Sequence, residues 1–150
     1  MKERIAYSKV YNLQPVLAKT LMELGDTAAQ NIDHSIIHLV KLRASQINGC
    51  AFCQHMHVNE ARKDGEKQSR LDVLPAWKEV PVFSDRERAA LAWTEKLTLV
   101  ANHEIHDEDF AMVREQFSDE EIVNLTAAIV TINAWNRIAV GFHFIPNIKD

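Results

Sequence analysis

The apolar residues of this chain recur at helical spacing almost from end to end, and no stretch alternates apolar and polar residues as a half-buried strand requires. Leu17, Leu21 and Leu24, with Met22 beside them, mark a helix that starts near Pro15, a residue suited to a first helical turn. Gly25-Asp26 is expected to break or end it. Asp33 is placed to cap a second helix, His34 to about Ile47, which Asn48-Gly49 stops or kinks. A third starts at or near Cys50, runs to about Lys63 and ends at Asp64-Gly65. Residues 66–83 read as a connection with short helical turns, punctuated by Pro75 and Pro81. Ser84-Asp85-Arg86-Glu87 and Ser118-Asp119-Glu120-Glu121 both have the form of a capping box, in which serine and glutamate side chains each satisfy a free backbone N–H. Ala89, Leu91, Ala92, Trp93, Leu97 and Leu99 follow the first box, and a helix from His106 or Asp107 through Phe110, Met112, Val113 and Phe117 precedes the second. The helix after the second box, Ile122 to about Trp135, is apolar nearly all round and belongs at the centre of the fold or in a subunit interface. The expectation is an all-α, single-domain helical bundle over residues 1–150.

At 150 residues the chain can bury a core without covalent staples. A formal net charge of −4 argues against nucleic acid as an obligate partner, because a phosphate backbone calls for a basic stripe. No apolar run approaches the roughly 18 residues of a membrane span, and the first residues lack the apolar segment of a secretory signal. A cytoplasmic location is expected. In that compartment a Cys-x-x-Cys is catalytic or metal-binding more often than structural.

The two cysteines of the chain stand in the run Asn48-Gly49-Cys50-Ala51-Phe52-Cys53-Gln54-His55-Met56-His57. Cys50, Cys53 and His57 are spaced by three and then four residues, so a helix carries all three on one face. Thiols at i and i+3 can close a disulfide. The thiolate is the reactive form, and free cysteine ionises near pH ~8.5. Two features favour ionisation here: the unpaired N–H groups of a helix start, and a histidine one turn from Cys53 that can take its proton. Cys50 is placed to attack an oxidised Cys53, giving a cycle of thiolate, sulfenic acid and intramolecular disulfide. Spacing does not decide which cysteine reacts first, since the helix start also favours Cys50. Two plain buried cysteines would not come with a histidine on the same stripe. A Cys2His2 metal site would need His38 or His55 as fourth ligand; His55 points off the stripe, and no second Cys/His pair has ligand spacing.

The run Leu39-Val40-Lys41-Leu42-Arg43-Ala44-Ser45-Gln46-Ile47-Asn48-Gly49-Cys50-Ala51-Phe52-Cys53 followed by Met56-His57 resembles the signature of AhpD-like alkylhydroperoxidases, of the carboxymuconolactone decarboxylase superfamily. Phe83 to Ala92 and Ile132-Asn133-Ala134-Trp135-Asn136-Arg137 resemble later segments of the same branch. The resemblance implies an all-helical homo-oligomer (dimer, trimer or hexamer) that reduces hydroperoxides and is restored by an external thiol donor, a lipoyl-type group or a small redox protein. It implies Cys53 as the peroxide-reacting thiol, Cys50 as the resolving, donor-facing one, and His57 as proton relay. No cofactor or metal is called for by these motifs.

The chain departs from that pattern in two places. Where the family's relay has a glutamate twelve residues before the first cysteine, this chain has His38. A carboxylate would stabilise a protonated His57; a second histidine would not, and two close histidines would titrate as a coupled pair. His38 is nonetheless a candidate relay residue, because imidazole can take a proton on one nitrogen and release one from the other. Phe52 stands where some members have histidine, and with Met56 it can wall an apolar pocket. Glu95 is a candidate to orient a relay histidine, and Arg137 to pair with a carboxylate. The rival functions are a lactone decarboxylase, which needs no dithiol, and a non-enzymatic redox sensor whose disulfide changes assembly.

Overall fold

The computed structural model describes residues 1–149, which form helices and connections with no strand among them. In chain order the helices are α1 (Tyr7–Leu13), α2 (Pro15–Ala29), α3 (His34–Ile47), α4 (Ala51–Lys63), α5 (Gln68–Asp72), a 3-10 segment (Leu74–Glu79), α6 (Asp85–Thr98), α7 (Asp107–Arg114) and α8 (Asp119–Phe142). Both serine capping boxes form, Ser84 with Glu87 and Ser118 with Glu121. The fold is the expected all-α bundle.

Helix α8 is its axis. It packs on α2, α3, α4 and α6, and Leu125, Ile129 and Ile132 are fully enclosed. It runs seven residues beyond the expected end at Trp135, stopping at Phe142 with His143 in the left-handed conformation at φ 58°. The extension matters, because Asn136, Ala139 and Phe142 pack around the dithiol turn.

Helix α2 does not end at Gly25-Asp26 but continues to Ala29. A Cβ on Gly25 would lie 3.3 Å from the Thr131 methyl, so this glycine admits α8 at close range rather than terminating a helix. Asp33 precedes α3 as expected, but its side chain makes no cap. It bonds Arg86 Nε at 3.1 Å instead; Arg86 also bonds the Glu121 carboxylate and lies over the Phe117 ring, tying α3, α6 and the α7–α8 junction together. Helix α1, for which the sequence shows no strong period, supplies Val10 to the packing around the cysteines.

Three regions of core result. One is mostly aliphatic, built from Ile36, Ile37 and Val40 of α3, Ala90 of α6 and Leu125 and Ile129 of α8, with Trp93 and Phe117 among them. A second joins α3, α5, the 3-10 segment and α6 through Leu42, Leu71, Leu74, Trp77 and Leu91. The third is small and aromatic-rimmed: Val10, Cys50, Cys53, Ala139 and Phe144, with Tyr11, Phe52 and Phe142 packed around them.

Candidate active site

The dithiol is held at the junction of α3 and α4. Gly49 has φ 64°, the left-handed geometry that reverses the chain between the two helices. Cys50 follows as the N-cap of α4, its sulfur accepting the Cys53 N–H at 3.3 Å. Cys53 lies in the first turn. The two are joined as a disulfide, with Cα atoms 5.3 Å apart, inside the span such a bond bridges.

A buried amide cluster pins this junction to α8. Asn48 Nδ2 donates to Asn133 Oδ1 at 3.0 Å and to Asn136 Oδ1 at 2.9 Å. Asn136 Nδ2 donates to Ser45 Oγ at 3.0 Å, and the Ser45 carbonyl accepts the Cys50 N–H at 3.0 Å. Asn136 is completely enclosed, so each of these bonds satisfies a group that would otherwise lose water for nothing. The Asn133–Asn136 segment thus fixes where Cys50 sits. Arg137 does not pair with a carboxylate as expected; it donates to the Asn133 carbonyl and side-chain oxygens, both at 3.0 Å.

Cys53 and His57 open onto one cavity of about 280 Å³ between α1, α2, α4 and α8. Tyr7, Tyr11, Phe52, Trp135 and Phe144 give it aromatic walls, Met56 and Met22 contribute thioethers, and Asp26, Lys41 and Glu60 are its charged groups. Burial, with the neighbouring Tyr7, pushes the Tyr11 hydroxyl up to about 12, so it stays a neutral phenol. Cys50 lines a separate cavity of about 190 Å³ with Gly49, Val140, His143 and Ile145.

His57 is 5% exposed. Its Nδ1 is 2.9 Å from Glu60 Oε2, and that hydrogen bond, aided by the charges of His57, Lys41 and His38, holds the Glu60 carboxyl below the usual glutamate range against the opposing effect of burial. An ionised carboxylate only accepts, so Nδ1 carries a hydrogen, and in the neutral imidazole Nε2 is then the nitrogen with the lone pair. That Nε2 is buried and has no hydrogen-bond partner among the described residues.

His38 is placed differently. Its Nε2 is 2.6 Å from Asp64 Oδ2, and it lines a wider cleft of about 610 Å³ with His34, Asp64 and Arg70. The carboxylate partner of His57 is therefore Glu60, which the sequence analysis did not single out. The signal was present: Glu60 continues the cysteine–histidine stripe by a further three residues. Glu95 orients no relay histidine. It accepts from Arg43 at 3.2 Å and from Trp77 Nε1 at 2.9 Å, joining α3 to α6 and the 3-10 segment. Among the described residues no cluster of three or more His, Cys, Asp or Glu side chains stands at metal-binding geometry.

Residues 15–96, over half of the chain, match the carboxymuconolactone decarboxylase family. The chain belongs to that family. Its likeness to an AhpD-like carboxymuconolactone decarboxylase protein extends over its whole length. A protein of unknown function from Agrobacterium tumefaciens, provisionally ascribed to antioxidant defence as AhpD, is 44% identical; the match covers 99% of this chain and 100% of that one with a TM-score of 0.91. The uncharacterized protein YdfG of Bacillus subtilis is 39% identical over 142 residues, 94% of this chain and 95% of that protein. The debrominase Bmp8 shares the fold at 18% identity, with a TM-score of 0.80 over 91% of this chain and 74% of that one.

Proposed function

We propose that the chain is a thiol-dependent peroxidase that reduces organic hydroperoxides through Cys50 and Cys53. The observation that carries this reading is that Cys53, one half of the disulfide, and His57, whose Nε2 has no hydrogen-bond partner among the described residues, line one cavity whose aromatic walls suit an apolar substrate. In the reduced protein Cys53 gives its proton to His57 Nε2 and attacks the terminal peroxide oxygen. The O–O bond breaks, the proton passes to the departing alkoxide, and an alcohol and a Cys53 sulfenic acid result. Cys50 then attacks the Cys53 sulfur; the S–S bond forms and the sulfenic oxygen leaves as water. An external dithiol, a lipoyl-type group or a small redox protein, is oxidised to its own disulfide and restores both thiols.

Three observations favour Cys53 over Cys50 as the first to react: it is the cysteine that shares a cavity with His57, its sulfur lies one turn from that base, and Cys50 opens to a different cavity. The family likeness supports the same order. A homo-oligomer in the cytoplasm completes the proposal; no helix among the described residues is long and apolar enough to cross a membrane.

The test is turnover. Purified protein with a dithiol reductant and cumene hydroperoxide should consume peroxide catalytically, while Cys53→Ser should be inactive and His57→Ala slowed by about a hundredfold or more, the range of a lost general base. Peroxide consumption no faster than that of free cysteine would remove the proposal. Loss of turnover combined with a redox-dependent change in assembly would replace it with the sensor reading.

A further inference from the structure

The cavity that Cys53 and His57 line has an open end and a closed one. Tyr7, Met22, Asp26, Met56 and Glu60 are its exposed lining residues and mark the mouth. Cys53, His57, Ile132 and Phe144 are buried and mark the inner part. At about 280 Å³ the space is small beside sites for drug-sized ligands, which run from about 300 to 1,000 Å³.

The cavity of Cys50 lies next to it, and the two share three lining residues, Phe52, Ala139 and Phe144. Ala139 offers only a methyl, so the partition is made by two rings, edge to face with centroids 5.6 Å apart. Phe52 belongs to α4, directly before Cys53. Phe144 comes from beyond the last helix. His143, at φ 58°, turns the chain back at the end of α8, and the Phe144 N–H donates to the Ala139 carbonyl at 2.9 Å. Arg4 secures this end from the N-terminal segment. Its guanidinium donates to the Val140 and Gly141 carbonyls at 3.2 and 2.9 Å, and its N–H to the Phe142 carbonyl at 2.9 Å. The Phe144 ring packs on Tyr7 and Tyr11, with centroids 5.1 and 6.1 Å away. A buried ring so enclosed does not swing aside at low cost, because it would leave a void behind it.

The place of this wall limits what can react. The peroxide oxygen must reach the buried Cys53, so the carbon that bears it sits in the inner part. Where that carbon ends a chain, or is compactly substituted, the rest of the molecule fills the cavity or leaves by the mouth. Where it lies mid-way along a long chain, two arms leave it, and the inner arm runs into Phe144. We propose that Phe144 determines the substrate class: the site takes hydroperoxides with the group on a terminal carbon or a compact aryl or branched alkyl carbon, and turns away those with the group mid-chain. The proposal rests on the peroxidase reading for the reacting group; the shape of what fits rests on the cavity alone.

The experiment is calorimetric titration with two alcohols, then turnover of their parent hydroperoxides. Cumyl alcohol is compact; the hydroxy acid made by reducing linoleic acid hydroperoxide carries its hydroxyl mid-chain. Wild type should bind cumyl alcohol about tenfold or more the tighter, a discrimination within reach of an apolar pocket. Phe144→Ala, which joins the two cavities, should bring the two affinities to within about twofold of each other. Phe144→Leu keeps more of the packing and should lie between; it decides the matter if thermal melts show that the alanine variant does not fold. The ratio is what is read, because a general loss of stability leaves it alone. Wild type that binds the hydroxy acid as well as cumyl alcohol, wild type that binds neither, or a ratio that the variants do not move would overturn the proposal. Turnover of the two hydroperoxides should follow the same order and the same shift. Affinities that shift as expected, with neither hydroperoxide consumed by wild type, would keep Phe144 as the wall that selects what binds and sink the peroxidase proposal.

Discussion

The two ends of α8 pass through opposite kinds of interior. Around Leu125 and Ile129 the cluster is mostly aliphatic, with Trp93 and Phe117 its aromatic members, and no ionisable group is buried there among the described residues. Around Asn136 and Ala139 the same helix meets a disulfide, an amide cluster, a buried histidine and an aromatic-walled cavity. Close packing gives stability, and leaving a cavity beside polar groups gives it up. The fold separates these tasks along one helix, so the site is held by hydrogen bonds and its rigidity is borrowed from the aliphatic end.

The comparison breaks if the two ends respond alike to substitution. Leu125→Ala should cost about 2–5 kcal/mol, the range for a large-to-small change in a packed core, and leave the disulfide's reduction potential where it was; chemical denaturation and a glutathione redox titration check both halves. Asn136→Ala should cost about 1–3 kcal/mol, through the unpaired Asn48 and Ser45 groups, and shift the potential as well. Gly49→Ala meets no atom with its new methyl, so its cost is the left-handed backbone alone, about 1–2 kcal/mol. Gly25→Ala gains helix propensity but crowds Thr131 at 3.3 Å, and the opposing effects should leave stability within about 1 kcal/mol of wild type.

The pH dependence sharpens the contrast. Glu60 has a lowered folded value, so its contribution to stability is present above the ordinary glutamate value of about 4.3 and is lost as the pH falls through the lower folded one. Unfolding by urea at a series of acidic pH values should therefore show a steeper decline for wild type than for Glu60→Gln. Equal slopes would mean that the His57–Glu60 bond does not persist in solution.

The helices were legible because their ends are written in local chemistry: Ser84 and Ser118 with their glutamates, Gly49 and Gly65 with positive φ. The stripe of Cys50, Cys53 and His57 was legible because helical period alone puts them on one face. What escaped depends on contacts distant in sequence. Gly25 resembles a helix stop until α8 is seen against it. Helix α1 is short and takes its order from packing on the cysteine cluster. Asp33 has the form of a cap but is drawn away by Arg86, fifty-three residues on. His38 attracted attention by its position before the cysteines, whereas its partner is Asp64, at the end of the next helix. Glu60 was within reach, since the period that found His57 also finds it.

The account turns on which sulfur meets the peroxide. Reduced Cys50→Ser and Cys53→Ser proteins, each treated with one equivalent of cumene hydroperoxide and a sulfenic-acid trap, answer this by mass spectrometry. A trapped sulfenic acid on Cys53 in Cys50→Ser, and none on Cys50 in Cys53→Ser, is the predicted result. Trapping on Cys50 alone would contradict it and place the reaction in the smaller cavity, away from His57.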